Sequence, residues 1–198
     1  ADGAHALVCV TEWDTLRALT PSDVRAKMRT PVLVDARNAL DQAAYAAAGL
    51  VLRLPMHGGF DAFRKVVDIP FIARRSRRDP GGVRAELGLP ANRTIVLLSF
   101  GGYGLDGLDL RPLARLGRFA FVTVGDPSRG SHAPDADGGV IALDERQMYR
   151  QGCRYEDLVA ASDVVVTPPG YGLIAESIAN PAAMLYTSRG RFVEYEVL

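Results

Sequence analysis

The stretch from Asp163 to Glu176 constrains this chain most. From Val164 to Val166 β-branched residues run without a break, Pro168, Pro169 and Gly170 stop the run after Thr167, and apolar residues then return at helical spacing from Tyr171. The pattern predicts a strand, a Gly-rich turn and a helix start. Such a turn aims backbone N–H groups along a helix dipole, and Gly170 and Gly172 leave room for a phosphate to reach the main chain. Glu176, four residues after Gly172, is placed one turn into the helix, where a carboxylate can accept two hydrogen bonds from a vicinal diol such as ribose. The chemistry suggested is nucleotide or sugar-phosphate binding. A Gly-rich turn with a helical Glu is also an ordinary capped, solvated helix start, so the motif alone leaves both readings open.

The rest of the chain repeats this alternation. Ala6–Val10 reads as a strand, Thr20-Pro21-Ser22-Asp23 as a capped helix start, Val32–Val34 as a strand, Asp41–Ala48 as a helix and Leu50–Leu54 as a strand. A composition break follows. It contains Gly58-Gly59, the basic run Arg74-Arg75-Ser76-Arg77-Arg78 and a second capped helix from Asp79-Pro80 to Leu87. Further strands are expected at Ile95–Phe100, Phe119–Val124, Val140–Leu143, Val164–Thr167 and Ala183–Tyr186. Strands that are apolar throughout belong to sheets covered on both faces, so the fold class is α/β, with Rossmann-like, three-layer parallel sheets. Ligands bind such sheets beyond the carboxyl ends of the strands. Ser99-Phe100-Gly101-Gly102-Tyr103-Gly104 repeats the Gly-rich strand end, and the two turns would face each other across one crevice; a plain flexible turn is the alternative.

Composition narrows the chemistry. Twenty-three basic residues balance twenty-three acidic ones, so no whole-molecule field draws in nucleic acid or anionic lipid, and an anion site must be local. No apolar run has the roughly 18 residues a membrane span needs. Cys9 and Cys153 show neither metal-ligand spacing nor a disulfide framework, which fits a reducing, cytoplasmic setting. No metal is expected: His5, His57 and His132 are scattered, and Asp135, Asp137 and Asp144 lack the ligand pattern of a calcium loop. His57, beside two glycines, is the one histidine in a loop suited to proton transfer. Trp13 reads as a packing residue. The arginine run reads as a solvated loop or an anion contact. No G-x-G-x-x-G follows a first strand, so no nicotinamide or other cofactor is expected. Both ends read as cut, with Ala1 opening the chain and Val197-Leu198 closing it inside an apolar segment without a cap; self-association is left open.

Several motifs together carry a resemblance. Leu54-Pro55-Met56, Phe63 through Pro70, Arg74-Arg75, Leu98 through Gly102, Asp157 through Asp163 and Gly170-Tyr171-Gly172 with Glu176 resemble the glycosyltransferase-like proteins related to the N-terminal half of L-arabinokinases, over residues 53–198. The same segment is similar, more distantly, to the donor-binding half of GT-B glycosyltransferases. The resemblance implies a UDP-sugar donor site of the hexosyl or N-acetylhexosaminyl transfer class. Gly101, Gly102, Gly170, Tyr171 and Gly172 would approach the nucleotide-sugar, Glu176 would bind ribose and Glu194 would contact the donor sugar. Residues 1–52 resemble something else. Ala6 through Asp14 and Pro31 through Asn38 are similar to the C-terminal, UDP-binding segment of UDP-glucose dehydrogenases, with Arg37 at the arginine that helps hold the substrate and Ala36 at the usual Gly. That family's NAD domain and nucleophilic Cys motif have no counterpart, so hydride chemistry is not expected.

The resemblances meet near Leu52–Pro55, as in a chimera, whether a natural fusion, a recombined sequence or a generated one. The expected layout is a βαβαβ segment over 1–54, a linker with a capped helix over 55–89 and a truncated GT-B-like nucleotide-sugar-binding domain over 90–198. Such a chain would bind a donor without a complete catalytic apparatus; no catalytic residue is assigned and the acceptor is undefined. Two alternatives stand beside this: a non-catalytic α/β module, and a UDP-binding dehydrogenase fragment centred on Arg37.

Overall fold

The computed structural model describes residues 3–9, 18, 20–35, 50–57, 60–61, 63–100, 109–125 and 140–188. They divide into two compact units, one within residues 1–72 and one within residues 73–190.

In the first unit β1 (Ala4–Cys9), β2 (Met28–Asp35), β3 (Leu50–Arg53) and β4 (Val66–Asp68) form a four-stranded sheet in that order. All three pairings are parallel. Between β1 and β2 lies α1 (Pro21–Lys27), which starts where the sequence signals it. The Thr20 side chain accepts the Asp23 N–H and the Asp23 carboxylate accepts the Thr20 N–H, a reciprocal cap that satisfies two donors with no helical partner. β4 falls inside the stretch read as linker, because a three-residue strand with two valines is too short to show a period. Phe60 and Phe63 in that stretch are buried, with ring centroids 5.6 Å apart. The helix expected at Asp41–Ala48 lies outside the described residues.

The second unit contains α2 (Pro80–Glu86), β5 (Thr94–Leu98), β6 (Phe119–Gly125), β7 (Val140–Asp144), α3 (Glu145–Arg150), α4 (Tyr155–Ala161), β8 (Val164–Thr167), α5 (Tyr171–Ala179) and β9 (Ala183–Tyr186). Its five strands are ordered β7-β6-β5-β8-β9 and are parallel throughout. This is the α/β, Rossmann-like architecture expected. The chain lays down β5, β6 and β7 outward in one direction, then returns to place β8 on the other side of β5. Strand order therefore reverses between β5 and β8, and their carboxyl ends lie side by side, with Leu98 opposite Val166.

A core of Val83, Leu89, Ile95, Leu97, Val122, Met148, Leu158, Val159 and Val165 packs α2, α3 and α4 on the sheet. Cys153, which the sequence set in a polar segment, is part of it and fully buried. Polar groups tie these elements together. Asp163 accepts the N–H of the buried Ile95 at 2.7 Å and Arg84 Nη2 at 2.9 Å, while Arg84 Nε donates to the Ala161 carbonyl at 2.7 Å. Gly88 and Gly152 follow α2 and α3 with φ of 67° and 81°, the left-handed region that favours glycine at a helix end.

Candidate functional site

The Gly-rich turn sits where the pattern expects it. β8 ends at Thr167, Pro168 and Pro169 cannot extend the ladder, and Gly170 starts α5 in extended backbone at φ −165° with no side-chain cap. Gly170 brings no side chain to cap the first turn of α5, which starts at the carboxyl edge of the sheet. A Cβ built on Gly172 would meet nothing within 4 Å among the described residues, so their packing does not require glycine there. Tyr171 is buried beside it.

The same edge carries the start of α4. Ser99, immediately after β5, donates its N–H to the Val166 carbonyl at 2.8 Å, and its Oγ lies 2.6 Å from Tyr155 Oη. Burial pushes the Tyr155 hydroxyl above the ordinary phenol range, against the pull of the Ser99 bond, so Tyr155 keeps its proton near neutrality. The turn after β5 and the start of α4 are thereby joined next to β8.

Glu176 is on α5 as expected, but it is neither solvated nor open. Its side chain is 10% exposed, and Oε1 accepts Arg74 Nε at 2.6 Å and Nη2 at 2.5 Å. The Arg74 side chain is 58% exposed and also faces Glu156 on α4, with Nη1 3.6 Å from Oε2. Partial burial alone would lower the Arg74 pKa, but the bond and charge of Glu176, with Glu156 adding to them, hold it above the usual guanidinium value.

Arg74 is held by more than its side chain. Asn180, 2% exposed at the end of α5, donates Nδ2 to the Arg74 carbonyl at 2.9 Å and accepts the Ser76 N–H on Oδ1 at 2.7 Å. Ser76 Oγ donates to Asp157 Oδ1 at 2.6 Å, and Asp157 Oδ2 accepts the Arg154 N–H at 2.8 Å. Arg78 donates to Cys153 Sγ at 3.0 Å and pairs with Glu86 at 2.5 Å. The arginine run is therefore a strap laid over α4 and α5, with Arg74, Ser76 and Arg78 turned inward. Arg75 and Arg77 are exposed and make no ion pair among the described residues. The sequence does hold a trace of this: Glu176 and Asn180 are spaced i, i+4 on an otherwise mostly apolar helix, which calls for a polar partner. Their partners lie 102 and more residues away and have no local signature.

Of the expected site residues, Gly170, Tyr171, Gly172 and Glu176 are brought together along the first turns of α5. Gly101, Gly102, Glu194 and Arg37 lie outside the described residues, as do Trp13, His132, Asp135 and Asp137. Asp144 caps α3, accepting the N–H groups of Arg146 and Gln147. The His57 ring meets Phe60 edge-on at 5.8 Å. Among the described residues no group of three His, Cys, Asp or Glu is arranged to hold a metal, and no helix is long and apolar enough to cross a membrane.

Known proteins match both parts of the chain. Residues 1–42 match the UDP binding domain of the UDP-glucose/GDP-mannose dehydrogenase family. A UDP-glucose 6-dehydrogenase of Pseudomonas aeruginosa is 46% identical over 50 residues, which is 25% of this chain and 11% of that protein. An L-arabinokinase of Arabidopsis thaliana is 27% identical over 196 residues, 98% of this chain and 17% of that protein. Both resemblances seen in the sequence are thus present, and the arabinokinase likeness reaches beyond 53–198 into the dehydrogenase-like stretch. The chain spans less than a fifth of the length of either relative.

Proposed function

We propose that this chain binds a nucleotide sugar, UDP-linked, in the crevice beyond the carboxyl ends of β5 and β8. The observation that carries the reading is topological: the Gly-rich turn and the start of α5 stand at the point where strand order reverses, the position at which open parallel sheets take their ligands. In this reading residues 90–198 act as a donor-binding domain of GT-B type, joined through 55–89 to a dehydrogenase-like UDP-binding segment over 1–54. The family matched at residues 1–42 and the UDP-glucose 6-dehydrogenase carry UDP in their names, which supports a uridine diphosphate as the ligand chemistry of the first segment.

The residues divide the work. First-turn N–H groups at Gly170, Tyr171 and Gly172 hold the diphosphate, Glu176 receives the ribose diol, and Gly101 and Gly102 contact the same nucleotide. If a hexosyl or N-acetylhexosaminyl group is transferred, the helix terminus stabilises the charge gathering on the leaving diphosphate. No general base is assigned within the chain, and turnover by it alone is not expected. A second reading places the uridine diphosphate at Arg37, favoured by the match over residues 1–42.

Calorimetric titration of UDP and UDP-N-acetylglucosamine tests these readings. Wild type should bind in the micromolar range, Glu176→Ala should lose that binding, and Gly172→Ala should weaken it while leaving the fold intact, since its added methyl meets no atom of the described residues within 4 Å. Loss in Arg37→Ala alone moves the site to the first segment. No heat from a folded sample refutes binding and leaves a non-catalytic module.

A further inference from the structure

The strap raises a difficulty for the reading above. A ribose diol needs the Glu176 carboxylate as an acceptor, yet Arg74 donates two N–H groups to it within 2.6 Å and covers it to 10% exposure. A second observation bears on the same guanidinium. Glu156 Oε2 is buried and has no hydrogen-bond partner among the described residues, although Arg74 Nη1 stands only 3.6 Å away. A buried carboxylate oxygen without a donor is costly, so Glu156 offers a vacant acceptor within a small rotation of Arg74.

We propose that Arg74 is a two-position latch on the nucleotide site, resting on Glu176 when the site is empty and transferring to Glu156 when ribose hydroxyls take its place. This rests on the proposed role of Glu176 and adds to it the control of access. The backbone of the strap stays fixed throughout, because Asn180 holds the Arg74 carbonyl and the Ser76 N–H, while the Arg74 side chain is more than half exposed and has room to turn. Transfer exchanges one charge-assisted set of bonds for another. The guanidinium leaves Glu176, closes the gap to Glu156 and supplies the missing donor, while two hydroxyls replace it on Glu176. After transfer the Glu176 charge is met by hydroxyl hydrogen bonds in place of a cation, while Glu156 gains the donor it lacks at rest. The latch selects ligands with an intact diol, since a ligand without hydroxyls has nothing with which to displace Arg74.

The test titrates UDP and 2′,3′-dideoxy-UDP into wild type, Arg74→Gln, Arg74→Ala and Glu156→Gln, each checked for folding by circular dichroism. Removing the competitor should tighten UDP roughly tenfold in both Arg74 variants, the scale set by a hydrogen bond to a charged group. The dideoxy ligand should be unaffected. Glu156→Gln removes the charged second seat and should weaken UDP several-fold. Unchanged or weaker UDP binding in both Arg74 variants overturns the latch, as does an equal gain for the dideoxy ligand. Absence of UDP binding from wild type and every variant removes the site and its latch together, whereas binding that needs Glu176 but ignores Arg74 removes the latch alone.

Discussion

Asn180→Ala separates the docking of the strap from the stability of the sheet beneath it. The side chain is 2% exposed and makes three hydrogen bonds, two to the strap at 2.7 and 2.9 Å and one to the Glu176 carbonyl at 2.9 Å. The Glu176 carbonyl keeps its bond from the Asn180 N–H at 2.8 Å, so only the two strap bonds are lost without replacement. At about 1 kcal/mol net for each, strap docking should weaken by about 2 kcal/mol. The void left by the buried amide adds about 1 kcal/mol to the global loss. Trypsin reads the local part directly, because Arg75 and Arg77 are exposed cleavage sites on the strap. Cleavage of a docked segment follows the population of its open form. A 2 kcal/mol shift therefore predicts acceleration of roughly 30-fold at these two sites under native conditions. Asn180→Asp should accelerate it further, since a carboxylate would replace the amide donor facing two carbonyls. Cleavage within twofold of wild type, with stability reduced all the same, would refute the argument and leave Asn180 as a packing group.

Two other perturbations probe the same unit. Asp163→Ala should cost about 2 kcal/mol in urea denaturation by stranding the buried Ile95 N–H, while Asp163→Asn keeps an acceptor and should cost less than about 1 kcal/mol; equal costs would show that the exposed pair with Arg84 dominates. Burial first, and then its bond to Glu86, raises the Cys153 pKa, so the folded state holds the thiol proton to higher pH than the unfolded state does. The stability this contributes is full below the ordinary thiol value of about 8.5 and is lost as pH rises from there through the folded value. Wild type should consequently lose more stability than Cys153→Ala between pH 7 and 10, and equal pH profiles would refute it.

Elements were legible in the sequence where a local signal fixes them. Thr20 with Asp23, and Asp79 before Pro80, announce helix starts because a cap bonds to N–H groups two or three residues away. The apolar runs at Thr94–Leu98, Phe119–Gly125 and Val164–Thr167 announce buried strands because both faces are covered. The Gly170 turn was legible for the same reason. The surroundings of Glu176 were not. Its partner Arg74 is 102 residues away, in a basic run whose composition looks solvated, and only the fold reveals that alternate residues of that run turn inward. Strand order was equally hidden, since alternation of strand and helix gives parallel pairing but not which strand takes the centre.

That order also fixes a sequence of construction. β5 is laid down first among the strands of its unit yet ends at the middle of the sheet, and its second neighbour, β8, arrives about 68 residues later, with Leu98 pairing Val166. During synthesis β5, β6 and β7 can assemble as a half-sheet whose open flank is the strand richest in buried residues. The strap emerges earlier still and has nothing to grip until α4 and α5 have left the ribosome. A chain of such high contact order closes slowly, with its central strand exposed until late. Pro90 and Arg93 stand just before this strand, where a proline and a charge disfavour pairing of a bare edge with a foreign strand.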